Sequence, residues 1–509
     1  MAESRPEVRL LLSTMRTLDG PSSLVKALAF LERERWLSVA AVVAQESQRV
    51  AAKDAFPSAE FQVRGLGEWP HTAGPSYGDE VVSLYSTIVN SPGFVDVKKQ
   101  VIASLDRHDS SGTFRLVDRE VYFQQSLLET LSLLSRSHIT HLFFDITPHV
   151  SRDFLLYWVA KSLGLKVIFL QPVPWAGLAI PKNTLEGCVS RHPIIWNSDD
   201  TSEFSDFLRF VTDQGRSLIS NLRESNAGWV AKYQGPEIRK LDARPPSLAK
   251  GFASVRQKML GRNSISLSGI EKWGLFEQLL AVFLEWRLRR DFLKARLSIN
   301  STELNAPRDY VFFALTHEPE RTFFPEALPY ESQFDVALQI AANLKPGYTL
   351  LVKEHETQFV PGRRGYASRS FQFYQTLKQV EKIKVVPSTA SAKTLVRSSR
   401  AVISATGTIC LEAALQGKPS FYFGNPWWAG FPGTTKVQDF SGISAAKNVI
   451  PSEAEIDQWL SNLVRRCVPT TSNVDIGDFS QKFAPLPASF PDLEERSIRM
   501  TLQSFIEGP

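Results

Sequence analysis

The sequence predicts an α/β protein: two parallel sheets, each covered by helices, face one another across a cleft and are joined by a mainly helical region. Three observations predict it. Short apolar runs alternate with helical patterns in both halves of the chain. Glycine and proline punctuate the boundaries, and unusual polar residues follow directly after the apolar runs of the C-terminal half. The 509 residues suffice for two or three domains, each with its own core.

Composition narrows the function classes. With 43% hydrophobic and 22% charged residues, disorder, collagen and coiled coil are excluded. Lys and Arg number 58 against 53 Asp and Glu, without a basic run, so no nucleic-acid partner is expected. Cys188, Cys410 and Cys467 form neither a CxxC pair nor a disulfide framework, which fits a reducing cytosol. The first residues lack the pattern of a signal peptide, and no apolar stretch reaches membrane-spanning length. The expectation is a cytoplasmic protein, at most peripheral at a membrane.

In order along the chain, Val8 to Leu12 reads as a strand, Ser22 to Glu34 as a helix and Leu37 to Val43 as a second strand. Pro57, Pro70, Pro75 and several glycines between Ala55 and Gly78 predict loops or an inserted excursion. Regularity returns with a helix from Arg119 to Ser135, a strand from His141 to Asp145, a helix from Arg152 to Leu163 stopped by Gly164, and a strand from Lys166 to Leu170. These make an N-terminal domain over residues 1–196.

Residues 197–305 read as the joining region, punctuated at Arg244-Pro245-Pro246 and ending in a basic helix from Leu275 to Leu297. Its Leu279, Leu280, Phe283, Leu284 and Leu288 suit packing on a domain or, with the neighbouring arginines, an anionic membrane surface; packing is the expectation.

Residues 306–465 show the clearest alternation. Strands are expected at Tyr310 to Leu315, Tyr348 to Val352, Ile383 to Val386, Ala401 to Ser404 and, as the last, Ser420 to Phe423. Helices fall between them at Gln333 to Leu344, Ser370 to Leu377, Ser391 to Val396 and Thr408 to Gln416. Residues 466–509 form a tail with a helix.

In such sheets ligands sit beyond the carboxyl ends of the strands. The polar residues of the C-terminal domain obey that rule: His317 with Glu318, Glu320 and Arg321 after the first strand, Lys353-Glu354-His355 after the second, Ser404-Ala405-Thr406-Gly407-Thr408 after the fourth, and Gly424-Asn425 after the fifth. Gly407 permits a close turn into a helix whose first N–H groups, with the hydroxyls of Ser404, Thr406 and Thr408, suit a phosphate. Glu412 suits ribose hydroxyls. A plain helix cap explains the same residues equally well.

Lys353, Glu354 and His355 suit phosphate binding or proton transfer, or else a surface turn. In the N-terminal half Asp145 and His149 follow a buried strand and are candidate bases for an acceptor hydroxyl, with capping and a satisfied loop histidine as the alternatives. Trp427 and Trp428 read as packing before stacking. His192 receives no role. No GxxxxGK[ST], HExxH or GxSxG motif occurs, so P-loop, zincin and α/β-hydrolase chemistry lacks support.

The series Phe312 to Glu320, Leu351 to His355, Ser404 to Thr408 with Glu412-Ala413-Ala414, and Gly417-Lys418-Pro419 with Phe423-Gly424-Asn425 resembles the bacterial capsule polysaccharide biosynthesis proteins. These are similar to GT-B glycosyltransferases, including the β-Kdo transferases of capsule assembly. The resemblance runs over Asp309 to Gly430 and, more weakly, from Asp118 through Gly164. It implies two Rossmann-like domains, a nucleotide sugar bound by the C-terminal one, and an acceptor glycan or lipid-linked glycan bound by the N-terminal one.

By that resemblance, Lys353 and His355 match a KEHP-like motif, and Gly407, Thr408 and Glu412 match GTxxxEA; Glu356 stands where the family carries proline. It further implies no cofactor beyond the nucleotide sugar as co-substrate, no metal, and peripheral contact with the inner membrane or polysaccharide-export machinery. His355, His149 and Asp145 are the expected catalytic residues. Lys353, Glu354, His317, Ser404, Thr406, Gly407, Thr408, Glu412 and Asn425 are the expected donor-binding residues. A nucleotide-sugar epimerase of similar architecture and a non-catalytic glycan-binding or export-assembly protein are the competing readings.

Overall fold

The structure, a computed structural model, describes residues 8–507 except 15–17, 19–21, 64–75, 108, 110–113, 174–176, 188–201, 225–264, 268–269, 273–274, 302–306, 361–363, 471–485 and 487. Cys188, His192 and the Arg244-Pro245-Pro246 punctuation lie outside the described residues.

The N-terminal domain begins with β1 (Arg9–Ser13), α1 (Ser23–Arg33), β2 (Ser38–Ala44), α2 (Arg49–Ala55) and β3 (Glu60–Val63). Leu10, Leu11 and Leu12 are wholly buried, as a strand covered on both faces requires. Ser22 caps α1 by accepting from Val25 N at 3.3 Å. The proline-rich excursion contains β3 and leads into α3 (Asp79–Val89) and α4 (Phe94–Ser104). Then follow α5 (Leu116–Arg136), β4 (His141–Phe144), α6 (Ser151–Ser162), β5 (Lys166–Val173) and β6 (Leu178–Lys182).

The joining region contributes α7 (Ser202–Glu224), a hairpin of β7 (Ile265–Leu267) and β8 (Ile270–Lys272), and α8 (Leu275–Asn300). Packing does govern α8, but through a different stripe from the one expected. Phe292, Ala295 and Ile299 are buried against the C-terminal domain, whereas Leu280, Phe283 and Leu288 are exposed. The apolar surface that the helix meets lies at its C-terminal end, where Phe292 stacks near Phe359 at 4.8 Å and Asp291 accepts from Phe371 N at 3.0 Å.

The C-terminal domain runs β9 (Tyr310–Ala314), α9 (Gln333–Asn343), β10 (Thr349–Lys353), α10 (Phe371–Lys378), β11 (Ile383–Val386), α11 (Ala392–Ser398), β12 (Ala401–Ser404), α12 (Ile409–Leu415), β13 (Ser420–Tyr422), β14 (Thr434–Lys436) and α13 (Glu453–Arg465). The strand ending near Phe423 is therefore not the last. β14 pairs in parallel with β13, and its exposed threonine and lysine side chains hide it from an apolar pattern.

Both sheets are doubly wound. The second has the order β11-β10-β9-β12-β13-β14, and the first has β3-β2-β1-β4-β5 extended by antiparallel β6. The strand order reverses between β9 and β12 and between β1 and β4, the crevices where such sheets bind ligands. The tail returns to the first domain. β15 (Val468–Pro469) pairs antiparallel with β6, and α14 (Phe490–Glu507) lies on α1, with Arg499 stacked over Phe30 at 4.2 Å. Among the described residues no helix is long and apolar enough to cross a membrane.

Candidate functional site

Register brings the polar loops of the second sheet to one edge. Lys353 is paired with Ala314, Ile403 with Phe313, and Ser404 with Tyr422. The segments after β9, β10, β12 and β13 therefore start at one level. β10 and β12 flank the same strand, so their loops stand on either side of the one after β9.

Two glutamines shape that central loop. The Gln333 amide donates to Thr316 O at 2.8 Å and accepts from Thr316 N at 2.7 Å; the Gln358 amide does the same for Glu318, at 2.7 and 2.9 Å. Each side chain imitates a strand neighbour, satisfying backbone groups that would otherwise be buried unpaired. His317 is held between these clamps, its ring 6.2 Å from that of His355.

His355 begins a short 3-10 turn. Its Nδ1 accepts from Thr357 N at 3.3 Å and lies 2.7 Å from the Thr357 hydroxyl, which puts the ring proton of the neutral imidazole on Nε2 as a donor. Glu354 braces it: one carboxylate oxygen accepts from His355 N at 2.8 Å, while the other accepts from Arg369 Nε at 2.8 Å and Tyr374 OH at 2.7 Å. Arg369 also pairs with Glu318. Burial alone would disfavour the Arg369 charge, but Glu318 and Glu354 outweigh it and raise its pKa. Tyr374 is pushed well up by burial and by the Glu354 charge.

Lys353 is 5% exposed and lies 3.4 Å from Glu356. Burial lowers its pKa, and Glu356 works against that shift. Glu356, which stands where the resembled motif carries proline, is thus the counterion of Lys353.

On the other flank, Ser404 Oγ donates to Ala314 O at 2.9 Å, and Thr406 Oγ1 donates to Thr322 O at 2.6 Å. These hydroxyls shape the turn by tying it to the β9 loop. A Cβ at Gly407 would lie 2.7 Å from Ser404 Oγ, so a side chain there would force that hydroxyl off Ala314 O. Thr408 precedes the first turn of α12, in which Glu412 is 6% exposed. Trp428 is fully buried, its indole donating to Thr406 O at 3.2 Å, so the packing reading is right.

Asn425 sits at the domain junction. Its carbonyl accepts from Gln171 of β5 at 2.8 Å, its N–H donates to Glu326 O at 2.7 Å, and its side chain accepts from Lys436 at 2.7 Å. Gln171 also donates to the Glu326 carboxylate at 3.1 Å, and Arg321 pairs with that carboxylate. In the first domain Asp145 is buried and accepts from Thr14 Oγ1 at 2.6 Å across the β1/β4 crevice. His149 is half-buried, with Nδ1 donating to Thr147 O at 2.8 Å, which places the lone pair of the neutral ring on Nε2.

Arg369, Glu326, Gln333 and Gln358 carry this geometry and were not legible in the sequence. Each stands alone in a loop or helix, and only the long-range contact reveals its part.

Comparison with known proteins bears on this half of the chain. No curated protein sequence matches. Among solved structures, the β-Kdo 2,7 transferase KpsC of Thermosulfurimonas dismutans aligns over 67% of this chain and 80% of its own, at 11% identity and a TM-score of 0.26. The β-Kdo 2,4 transferase of the same protein covers 64% and 79%, at 13% and 0.28. The UDP-GlcNAc 2-epimerase of Methanocaldococcus jannaschii covers 98% and 100%, at 10% and 0.20. Residues 327–461, from the loop after β9 into α13, match the family described as capsule polysaccharide biosynthesis protein, the family to which the motifs pointed.

Proposed function

We propose that this chain is a GT-B-like, metal-independent glycosyltransferase that moves a sugar from a nucleotide sugar to a capsular or lipopolysaccharide-type acceptor. The observation that carries the reading is the meeting of the Lys353-Glu354-His355 and Ser404-to-Thr408 loops on either side of the β9 loop, at the crevice where the strand order reverses. The family match over residues 327–461 supports the capsular setting.

In this reading the N–H groups around Gly407, Lys353 and the Nε2 proton of His355 face the donor phosphate. Glu412 receives ribose hydroxyls. His317 and Glu354 hold the loop that presents His355. As the bond from the anomeric carbon to the phosphate oxygen breaks, that oxygen keeps the electron pair and gains charge, which fixed donors stabilise without rearranging. The acceptor oxygen bonds to the anomeric carbon and gives its proton to a base of the first domain. His149, with its Nε2 lone pair, is the leading candidate, and Asp145 acts through its polar contact with Thr14. The site works at the cytoplasmic side of the membrane.

One observation favours a glycan-binding protein without chemistry: Glu356 neutralises Lys353. The two readings separate in a transfer assay with CMP-, UDP-, GDP- and CDP-linked sugars and a capsular oligosaccharide primer. Folded His355→Ala and Glu412→Ala variants should lose about a hundredfold or more in turnover. Unchanged turnover in both would sink the assignment, and conversion of the nucleotide sugar without primer would favour an epimerase.

A further inference from the structure

Helix α8 packs on the C-terminal domain through Phe292, Ala295 and Ile299, which recur every three or four residues and so share one face. A second series at the same spacing, Leu280, Phe283, Arg287, Arg290, Lys294 and Leu297, falls on the opposite side and is exposed throughout. It runs for about 26 Å along the helix.

The stripe joins two properties. Phe283 is 51% and Leu297 62% exposed, and the Phe283 ring stacks on Trp286 at 6.1 Å, so apolar and aromatic surface is left in water. Arg290 lies over the Trp286 ring at 5.3 Å. Among the described residues no carboxylate lies within ion-pair distance of Arg287, Arg290 or Lys294. The nearby carboxylates of the helix are engaged elsewhere: Glu285 pairs with Arg289 and accepts from Tyr366 OH at 3.1 Å, and Asp291 accepts from Phe371 N at 3.0 Å. Three cations therefore stand on this face without an anion among them.

We propose that this face of α8 docks on an anionic lipid bilayer, with Phe283 and Leu297 at the headgroup–acyl boundary and Arg287, Arg290 and Lys294 on lipid phosphates. Charge complementarity selects the occupant. A second copy of this chain laid on the same face would set cations against cations. An acidic polymer in water would pair the cations but leave the apolar side chains hydrated. An anionic interface meets both needs. The inference stands apart from the transferase reading, since it requires neither nucleotide nor acceptor.

The test is flotation of the full chain with vesicles of phosphatidylglycerol and phosphatidylcholine in equal parts, and with pure phosphatidylcholine vesicles, at low and high salt. The chain should float with the anionic vesicles, stay behind with the neutral ones, and be released as salt screens the cations. The triple variant Arg287→Gln, Arg290→Gln and Lys294→Gln should bind about a hundredfold more weakly, each basic residue near such a surface contributing about fivefold. Phe283→Ser should weaken binding by about tenfold through lost apolar burial. Lys26, Arg35 and Lys447 are exposed on other surfaces, so changing all three to Gln removes the same charge and should leave binding as in the parent.

No flotation with anionic vesicles, equal losses in the two triple variants, or Phe283→Ser binding as the parent does would each overturn the inference. Capture of the chain by soluble polygalacturonate without flotation would assign the face to an acidic polymer and overturn it likewise.

Discussion

The ammonium of Lys353 lies 3.4 Å from the carboxylate of Glu356, three residues on, and both stand where β10 delivers its loop to the candidate site. A donor phosphate reaching Lys353 competes with an anion the protein already supplies. Glu356→Gln should therefore tighten nucleotide binding by about threefold to tenfold in calorimetric titration. It also removes the larger of the two charges that oppose burial at Lys353, Glu354 being the other, so the lysine loses its proton at lower pH. Binding to the variant should weaken on the alkaline side sooner than in the parent. Weaker or unchanged affinity at neutral pH would show that Glu356 does not compete.

Arg369 is the buried brace of the site. Its removal leaves Glu354 and Glu318 without their cation, and Glu354 holds the backbone of His355. Arg369→Met should lower stability to urea by about 3–5 kcal/mol, the range for breaking a buried ion pair from one side. A loss below about 1 kcal/mol would mean that the network contributes little.

Two glycines near the β12 turn should respond differently to alanine. At Gly407 the new Cβ meets Ser404 Oγ, a side-chain tip that rotates away at the loss of its bond to Ala314 O, so the cost is about 1 kcal/mol. At Gly424 the Cβ would lie 2.9 Å from the carbonyl oxygens of Ala405 and Glu326, and backbone cannot step aside so easily. Gly424→Ala should cost about 3 kcal/mol. Denaturation of both variants gives the ranking, and the reverse order would contradict the geometry.

The parallel core was legible because buried parallel strands are continuous apolar runs. Phe312, Phe313, Leu350, Leu351 and Ile403 are fully buried and lie within a residue or two of the expected strand limits. β14 and β15 were not, since one is short and exposed and the other is two residues whose identity as a strand comes wholly from β6. The sequence also located the loops of the site without showing what holds them. Ser368-Arg369-Ser370 reads as an ordinary loop, and its function as an ion-pair hub depends on Glu318 and Glu354 arriving from two other strand ends. Gln171, directly after a strand, is expected to face the cleft, but its direct tie to the second domain shows only when Glu326 and Asn425 are seen beside it.

His141 gives the first domain a pH dependence. Burial, with Lys166 nearby, lowers its pKa from 6.5 to about 4, so the native state holds it neutral while the unfolded chain takes up a proton. Its contribution to stability is complete above about pH 6.5 and is lost progressively as pH falls towards about 4. The melting temperature should drop through that window, and His141→Gln should flatten the drop. An equal slope in both proteins would remove His141 as the cause.

Hydrogen exchange with and without nucleotide tests the central claim most directly. Bound nucleotide should slow exchange at residues 353–357 and 404–412 together, segments that meet through the β9 strand end. Protection confined to the first domain, or to one of the two segments with the other unchanged, would contradict a shared phosphate site on the second sheet.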